Sequence, residues 1–254
     1  MTNVLERFRL DGQIAVITGG ARGIGRATAE ALVAAGAHAV LLDRDLEEAN
    51  KAAAQIGNAQ AQVVDVTSEA DVDCCFDALA ARVGRIDILV NNAGASIRKP
   101  SVELTKSEWD AVIAVNQSAV FLCSRAAARH MLPRNSGAIV NVASIMGFSG
   151  GGLYPNISYQ ASKGAVVNMT RAFAIEWAKD GIRVNAVAPA WVRTGFIAPL
   201  LAKPELIGAI EAATPMRRLV EPEEVAAAIL FLASPASAMT TGHVLAIDGG
   251  YLAR

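Results

Sequence analysis

The chain has 254 residues, of which 53% are hydrophobic and 19% charged, with a formal net charge of -1. This composition supports a deep core in which a sheet is buried on both faces. The near-neutral charge excludes a global field that would attract nucleic acid or an anionic membrane. We therefore expect a small-molecule ligand, with no nucleic-acid or membrane partner.

The cysteines and the amino terminus limit the cellular setting. Cys74, Cys75 and Cys123 form no C-x-x-C pair, so we predict neither a disulfide framework nor a metal site. The first twelve residues, MTNVLERFRLDG, carry charges early and lack the apolar centre of a secretory signal. No apolar run approaches the roughly 18 residues that span a bilayer. These features predict a cytoplasmic protein without metal.

Short apolar runs alternate with Ala-rich amphipathic stretches along the chain. The predicted strands are 14–18, 39–43, 61–65, 87–91, 138–143, 183–188 and 244–248. The predicted helices are roughly 23–36, 45–56, 68–83, 105–133, 157–180 and 222–234. Continuous apolar strands separated by helices are typical of a parallel sheet covered on both faces. The pattern predicts a single α/β domain over residues 1–254, a doubly wound (Rossmann) seven-stranded parallel sheet with helices on both faces.

One segment departs from this alternation. Residues 189–220 contain several prolines and a mixed helical pattern. An irregular insertion after the carboxyl end of a strand is a common place for a ligand to be covered. The alternative is that this segment is a packing excursion or a subunit contact.

The first predicted strand leads into a glycine-rich turn, Thr18-Gly19-Gly20-Ala21-Arg22-Gly23-Ile24-Gly25, and then a helix. Glycines in a turn between strand and helix let the backbone approach a pyrophosphate, and the helix amino terminus supplies free N–H groups. This context predicts a dinucleotide-binding half that extends to about residue 135.

Acidic residues end the next two predicted strands. Asp43 lies 18 residues beyond Gly25, where a carboxylate can accept hydrogen bonds from ribose hydroxyls and repel a 2′-phosphate. This predicts NAD rather than NADP, although Arg44 and Arg22 oppose that preference. Asp65, followed by Val66, can hydrogen-bond the adenine amino group or simply end the strand in a turn.

The chemistry-bearing residues lie further along. Ser144 closes the fifth predicted strand, and Tyr159 and Lys163 share one helix face at i and i+4. A free tyrosine, with a pKa of about 10, is a poor base at neutral pH, but a neighbouring cation favours the phenolate. Such a tyrosine can exchange a proton with a substrate hydroxyl. Asn116 is an amide among apolar neighbours, so its side chain must either be hydrogen-bonded within the protein or take part in the function.

The chain resembles the short-chain dehydrogenase/reductase family over essentially its whole length. The resemblance rests on the order and spacing of TGGARGIG (18–25), NNAG (91–94), Asn116, Ser144 and the Y-x-x-x-K of Tyr159 and Lys163. The resemblance implies Tyr159 as acid/base, Ser144 as donor to the substrate oxygen, Lys163 as the group that lowers the tyrosine pKa, and Asn116 as holder of a relay water. It implies that the cofactor site comprises Gly19, Arg22, Gly23, Ile24, Gly25, Asp43, Asp65, Val66, Asn92, Ala93, Gly94, Tyr159, Lys163, Pro189, Val192 and Thr194.

The substrate is less defined. Ser144 and Tyr159 are about two residues further apart than is common in the family, and the extra length lies in a lip at 147–158. A longer lip resembles the sugar and polyol dehydrogenases, including galactitol- and gluconate-type enzymes. Tyr154, Trp191 and Phe196 are expected either at the substrate with Ser144 or in plain packing.

Two other functions and the assembly remain open from sequence. One rival is an NADPH-dependent reductase of 3-oxoacyl thioesters, and the other is a cofactor-binding regulatory protein without turnover. The helices at 105–133 and 157–180 are more apolar than one sheet face requires. Because related enzymes pair such helices between subunits, we expect a homotetramer.

Overall fold

The computed structural model describes residues 3–254, and within that range one parallel sheet of seven strands lies at the centre. The strand order is β3-β2-β1-β4-β5-β6-β7. The strands are β1 Ile14–Thr18, β2 His38–Asp43, β3 Ala59–Val63, β4 Ile88–Asn91, β5 Gly137–Val142, β6 Ile182–Pro189 and β7 Val244–Ile247. Strand order reverses between β1 and β4, so the predicted doubly wound sheet is confirmed.

Helices cover both faces of the sheet. They are α1 Gly23–Ala34, α2 Leu46–Ile56, α3 Glu69–Val83, α4 Lys106–Ile113, α5 Ala119–Met131, α6 Ile157–Trp177, α7 Ala198–Leu201, α8 Pro204–Ala213 and α9 Pro222–Ala233. One face packs against α3, α5 and α6, and the other packs against α1, α2 and α9.

The alternation of side chains along each strand explains the two cores. In β1, Val16 points into the α3/α5/α6 side, while Ala15 and Ile17 point into the α1/α2/α9 side. All three side chains are fully buried. Because parallel strands covered on both faces need apolar residues at every position, continuous apolar runs located most of these strands correctly.

Two predicted elements required correction. The third strand is Ala59–Val63, two residues earlier than the predicted 61–65, because it is the outermost strand and tolerates Gln60 and Gln62 on its half-buried surface. The single helix predicted at 105–133 is instead α4 and α5 joined by a π-helical turn at Ala114–Ser118. That turn contains Asn116.

The segment at 189–220, here called the covering segment, is more regular than its sequence suggested. It carries α7 and α8, which pack over a separate small core that includes Trp191, Ile197 and Ile210. Val192 and Val220 form an isolated parallel bridge. The Val220 N–H donates to the Trp191 carbonyl and the Arg193 N–H donates to the Val220 carbonyl, both over 2.9 Å. The two ends of the segment are therefore paired with each other just beyond the end of β6.

The continuous helical stretch Lys106–Arg134 is long and apolar enough to pass a length-and-composition test for a membrane span. Its most apolar window is 56% buried inside the protein, and its inner face belongs to the core beside β4 and β5. A core helix of this kind passes the same test. Among residues 3–254, no group of three or more His, Cys, Asp or Glu side chains is arranged to hold a metal ion.

Candidate active site

A cleft of about 650 Å³ lies at the carboxyl ends of the strands. It extends from Asp43, at the end of β2, across β1 and β4 to Ser144, just beyond β5. Ligands of open α/β sheets bind in this crevice, where the strand order reverses. The strand order alone therefore places the candidate site in this cleft.

The β1–α1 turn is shaped for close approach of a ligand. Gly19 has a φ of +62°, and a Cβ there would lie 3.1 Å from the Ala93 Cα. A Cβ on Gly25 would lie 2.2 Å from the Gly19 carbonyl oxygen. Gly25 is buried and does not line the cleft, so it acts through packing beneath the turn rather than by facing a ligand.

Hydrogen bonds tie this turn to the end of β4. The Asn92 Nδ2 group donates to the carbonyls of Thr18 and Gly19 over 3.0 and 2.9 Å. The Thr18 hydroxyl oxygen accepts from the N–H groups of Asn92 and Ala93 over 3.0 and 3.1 Å. The two backbone segments that form the floor of the cleft are therefore held as one unit.

Carboxylates and arginines share the β2 and β3 end of the cleft. The Asp43 carboxylate accepts from the N–H groups of Ala21 and Asp45 over 3.2 and 3.1 Å, which holds it in the cleft wall. Arg22 forms an ion pair with Asp45. Hydrogen bonds from the Thr67 hydroxyl and N–H lower the pKa of Asp65, which both ends its turn and lines the cleft.

These features fit a nicotinamide dinucleotide. The glycine turn leaves room for backbone contact with phosphates, and Gly23 and Ile24 bring the amino terminus of α1 to the cleft. Asp43 offers acceptors for ribose hydroxyls at one end, and the Tyr159 and Lys163 pair lies towards the other. The Asp43 end of this elongated cleft therefore suits the adenosine half of such a molecule, and the Tyr159 and Lys163 end suits the nicotinamide half.

Asn116 is fully buried behind the cleft instead of lining it. Its Oδ1 accepts from the Ala95 N–H over 2.8 Å, and its Nδ2 donates to the Ala95 carbonyl over 2.9 Å and to the Ser162 hydroxyl over 3.0 Å. Both amide hydrogens are thus used within the protein. A relay water beside Asn116 must be held by something other than these two hydrogens.

Ser144 lies immediately beyond β5 and begins a short 3-10 turn. Its Oγ accepts a hydrogen bond from the Met146 N–H over 3.1 Å. Because a hydroxyl carries one donor proton beside its lone pairs, this contact leaves the Ser144 O–H available to a ligand in the cleft.

Tyr159 and Lys163 extend from the first turns of α6 into the cleft. The Lys163 Nζ lies 5.5 Å from the centroid of the Tyr159 ring and donates to the Val142 carbonyl over 2.7 Å. Burial raises the pKa of Tyr159 to about 12, although the Ser144 hydroxyl and the Arg98 charge act to lower it. Burial lowers the pKa of Lys163 to about 8.

The end of the cleft beyond β5, here called the substrate end, is lined by Arg98, Ser144, Tyr154, Asn156, Tyr159, Trp191 and Phe196, together with the aliphatic residues Ile145, Met146, Ala190 and Ile197. The Trp191 Nε1 donates to the Tyr154 hydroxyl over 2.8 Å, joining the covering segment to the 147–158 lip. The Tyr251 ring packs edge-on against Trp191, and its hydroxyl donates to the Gly151 carbonyl over 3.3 Å. Tyr154 and Trp191 thus line the cleft and also pack against neighbouring parts of the protein.

The structure brings nearly all of the sequence-predicted site residues to this one cleft. Besides the pair of Tyr159 and Lys163, those lining it are Gly19, Arg22, Gly23, Ile24, Asp43, Asp65, Val66, Asn92, Ala93, Gly94, Ser144, Tyr154, Pro189, Trp191, Val192, Thr194 and Phe196. Gly25 and Asn116 support it from behind.

Sequence reasoning missed two residues of the substrate end. Arg98 follows the NNAG turn by four residues, and Asn156 is buried just before α6. Neither belongs to a motif, so only the fold of the loops after β4 and β5 reveals them. Arg217 and Arg218, the two adjacent cations of the covering segment, are exposed and lie outside the cleft.

Comparison with known proteins agrees with the site. A family model described as Enoyl-(Acyl carrier protein) reductase matches residues 19–252. The chain is 44% identical over 246 residues to galactitol 2-dehydrogenase (L-tagatose-forming) of Cereibacter sphaeroides, covering 96% of each chain. It is 41% identical over 248 residues to D-threitol dehydrogenase of Mycolicibacterium smegmatis, covering 96% of this chain and 94% of that one.

A solved structure is similar over its whole length. Gluconate 5-dehydrogenase from Burkholderia cenocepacia, in complex with NADP and tartrate, superposes with a TM-score of 0.96 and 38% identity, covering 99% of this chain and 100% of that one. With the parallel sheet, the glycine turn and the Ser144, Tyr159 and Lys163 set in one cleft, these similarities establish the class. The chain belongs to the short-chain dehydrogenase/reductase family and is a nicotinamide-dependent oxidoreductase of CH–OH groups.

Proposed function

We propose that the protein interconverts a secondary alcohol and a ketone on a polyol or sugar-like substrate. The observation that carries this proposal is a polar substrate end, where the hydroxyls of Ser144, Tyr154 and Tyr159 line the same cleft wall as Arg98 and Asn156. A substrate with several hydroxyls can meet these donors and acceptors. The names of the galactitol, threitol and gluconate dehydrogenases support the same substrate class.

Each residue of the set has a proposed task. Tyr159 takes the hydroxyl proton in oxidation and returns it in reduction. Ser144 donates its free O–H to the substrate oxygen, and Lys163 provides the buried cation that favours the phenolate. Asn116 fixes the loop after β4 beside them. A bound nicotinamide nucleotide would supply the hydride acceptor or donor, held by the glycine turn, Asp43 and Lys163.

We propose NAD as the preferred cofactor. Asp43 is hydrogen-bonded in place by two backbone N–H groups, where a carboxylate accepts from ribose hydroxyls and repels a 2′-phosphate. Arg22 is already paired with Asp45, so Arg44 is the cation that acts against this preference. The gluconate 5-dehydrogenase relative is in complex with NADP, which makes the choice a direct question for experiment.

The thioester reductase is the weaker candidate. An acyl chain needs a long apolar channel, whereas the aliphatic residues of the substrate end, Ile145, Met146 and Ile197, share that space with a guanidinium, an amide and three hydroxyls. A regulatory protein without turnover is disfavoured because Ser144, Tyr159 and Lys163 are all retained in one cleft.

A screen of alditols, aldonates, simple secondary alcohols and a 3-oxoacyl thioester with NAD(H) and NADP(H), followed by cofactor absorbance, tests the proposal. We expect the highest kcat/KM with a polyhydroxylated substrate and NAD. Superior turnover of the thioester with NADPH, or no turnover of any polyhydroxylated compound, would refute it.

We also propose that the protein is a homotetramer. Phe121 on α5 and Ile175 on α6 are large apolar side chains with 43% and 83% of their surface exposed, as expected if these helices pair between subunits. Sedimentation equilibrium would test this, and a stable monomer at micromolar concentration would contradict it.

A further inference from the structure

The two ends of the cleft differ in charge. Its carboxylates, Asp43, Asp45 and Asp65, all follow β2 or β3. Among the described residues that line the substrate end, there is no acidic side chain, whereas Arg98 supplies a cation. A ligand group at this end therefore meets positive charge without a competing protein carboxylate.

Arg98 is held by aromatic rings instead of by an anion. Its guanidinium carbon lies 5.6 Å from the centre of the Tyr154 ring and 5.5 Å from the centre of the Phe196 ring. A cation–π contact of this kind holds a guanidinium without using its N–H groups, which can then bind a planar carboxylate with two hydrogen bonds.

The hydrogen-bonding capacity of Arg98 is unused within residues 3–254. Its Nε is shielded from solvent and has no hydrogen-bond partner. Each of the ion pairs formed within that range joins other residues, including neighbouring Lys99, which pairs with Glu108. A buried donor without a partner carries a free-energy penalty, which a ligand acceptor would relieve.

A second donor faces the same space. Asn156 is buried and lines the cleft, and its Oδ1 accepts from the Ser96 hydroxyl over 3.1 Å. This contact orients the amide and leaves Nδ2 without a partner among the described residues, so the group can donate to a ligand. Arg98 and Asn156 together form a set of donors.

Arg98 is also close to the chemistry. Phe196 packs against the Tyr159 ring with centroids 6.0 Å apart, and the same Phe196 ring stacks on Arg98. A group bound by Arg98 would thus lie in the same part of the cleft as the proton-transferring phenol.

We propose that Arg98 binds a carboxylate of the substrate, so that the preferred substrates are polyhydroxylated acids of the aldonate class rather than neutral alditols. This inference rests on the proposed oxidoreductase function at the same cleft. Arg98 is then a specificity-determining residue, with Asn156 donating to the same carboxylate or to the adjacent hydroxyl.

The test compares aldonates of four to six carbons with the matching aldonamides and alditols, using the wild type and Arg98→Met, Arg98→Lys and Lys179→Gln variants. Lys179→Gln serves as the control. It removes an exposed positive charge just beyond the carboxyl end of α6, on the side of the sheet where the strands begin and away from the cleft. We expect the wild type to prefer the best aldonate over its amide by at least about 30-fold in kcat/KM.

In Arg98→Met, kcat/KM for the aldonate should fall by about 100-fold, mainly through KM. The value for the amide loses only the effect of the Arg98 charge on the Tyr159 phenol and should fall by no more than about tenfold. Arg98→Lys should recover part of the aldonate activity, and Lys179→Gln should match the wild type. Equal use of the amide, or an equal loss with both substrates in Arg98→Met, would overturn the inference while leaving the oxidoreductase proposal intact.

Binding provides a readout independent of turnover. With saturating cofactor, the aldonate should raise the thermal unfolding temperature of the wild type and Lys179→Gln but not of Arg98→Met, and cofactor affinity should be equal in all three. If no sugar-like compound is turned over but the aldonate still protects only the proteins that retain Arg98, the proposed function fails and the carboxylate site stands. If the aldonate gives no protection that depends on Arg98, the proposal of a carboxylate site is refuted.

Discussion

Asn116 and Ala95 are joined by two hydrogen bonds, one from the Ala95 N–H to Oδ1 over 2.8 Å and one from Nδ2 to the Ala95 carbonyl over 2.9 Å. The amide side chain thus pairs with the backbone as a neighbouring strand would. Because Asn116 lies in the π-helical turn between α4 and α5, the pair anchors the loop after β4 to the helix behind it. Arg98 lies in the same loop, three residues beyond Ala95.

Replacing Asn116 with Ala should lower the free energy of unfolding by about 2–4 kcal/mol, since it removes a fully buried side chain and leaves the half-buried Ala95 N–H and carbonyl without partners. Ser162→Ala removes one of the three contacts of Asn116 and should cost only about 1 kcal/mol. Denaturant unfolding of both variants would measure the difference. Equal losses would show that the Ala95 contacts carry little of the stability.

Tyr159→Phe should abolish turnover in both directions, by at least about 10³-fold, while leaving cofactor affinity within a few-fold of the wild type. The variant removes only the phenolic oxygen and keeps the ring that packs on Phe196. Steady-state assays and fluorescence titration with reduced cofactor would measure the two quantities. Substantial remaining activity would disprove the acid/base assignment.

The direction of catalysis should depend on pH in a defined way. Burial raises the pKa of Tyr159 to about 12, so near neutrality the side chain is a phenol, ready to give its proton to a ketone. Alcohol oxidation needs the phenolate, and kcat/KM for oxidation should rise up to about tenfold per pH unit until the operative pKa is reached. The positive charge of an oxidised nicotinamide moves that limit to lower pH.

Measurements of both directions from pH 6 to 10 would check this expectation. Reduction uses the phenol together with an uncharged reduced nicotinamide, so its rate should stay nearly level over the whole range. A flat oxidation profile over the whole range would contradict the assignment of the proton to Tyr159.

Lys163 should destabilise the cofactor-free protein near neutral pH. Burial lowers its folded-state pKa to about 8, below the ordinary lysine value of 10.5, so the unfolded chain binds more protons between those two pH values. The contribution of this group to the free energy of unfolding therefore rises with pH across that window. Lys163→Met should raise the stability at pH 7 by on the order of 2 kcal/mol, while abolishing turnover.

Urea unfolding of the two cofactor-free proteins at pH 7 and pH 10 would measure this effect. The stabilisation should shrink at the higher pH, where the wild-type lysine is already neutral in the folded state. A Met variant that is less stable than the wild type at both pH values would contradict the prediction.

Asp43→Ser should shift cofactor use towards NADP. The carboxylate faces the cleft, and its removal takes away the repulsion of a 2′-phosphate while leaving Arg44 beside it. We expect the ratio of kcat/KM for NADP over NAD to rise by about 10- to 100-fold. Asp45→Asn, which loosens Arg22 but keeps Asp43, is the matched comparison. A wild type that already prefers NADP would show that Arg44 outweighs Asp43.

Much of the fold and the central part of the site could be predicted because they depend on local patterns. Continuous apolar runs mark buried parallel strands, and Gly19, Asp43, Ser144, Tyr159 and Lys163 each follow a strand or share a helix face. The edge strand β3 was displaced by two residues because its exposed surface weakens the apolar signal. Arg98 and Asn156 were not predictable because their proximity arises only when two loops distant in sequence fold over the same cleft.

The bridge between Val192 and Val220 has a consequence for how this scaffold diversifies. Because the chain departs and returns through adjacent backbone positions, everything from 193 to 219 is a closed loop whose ends are already paired to each other. Because no sheet strand lies within it, we expect that its length and contents can change without altering the register of the sheet strands. The segment can therefore be replaced as a unit, so that a different cover over the substrate end is combined with unchanged proton-transferring residues. Chimaeric proteins joined at these two valines are the natural way to change the substrate of the enzyme.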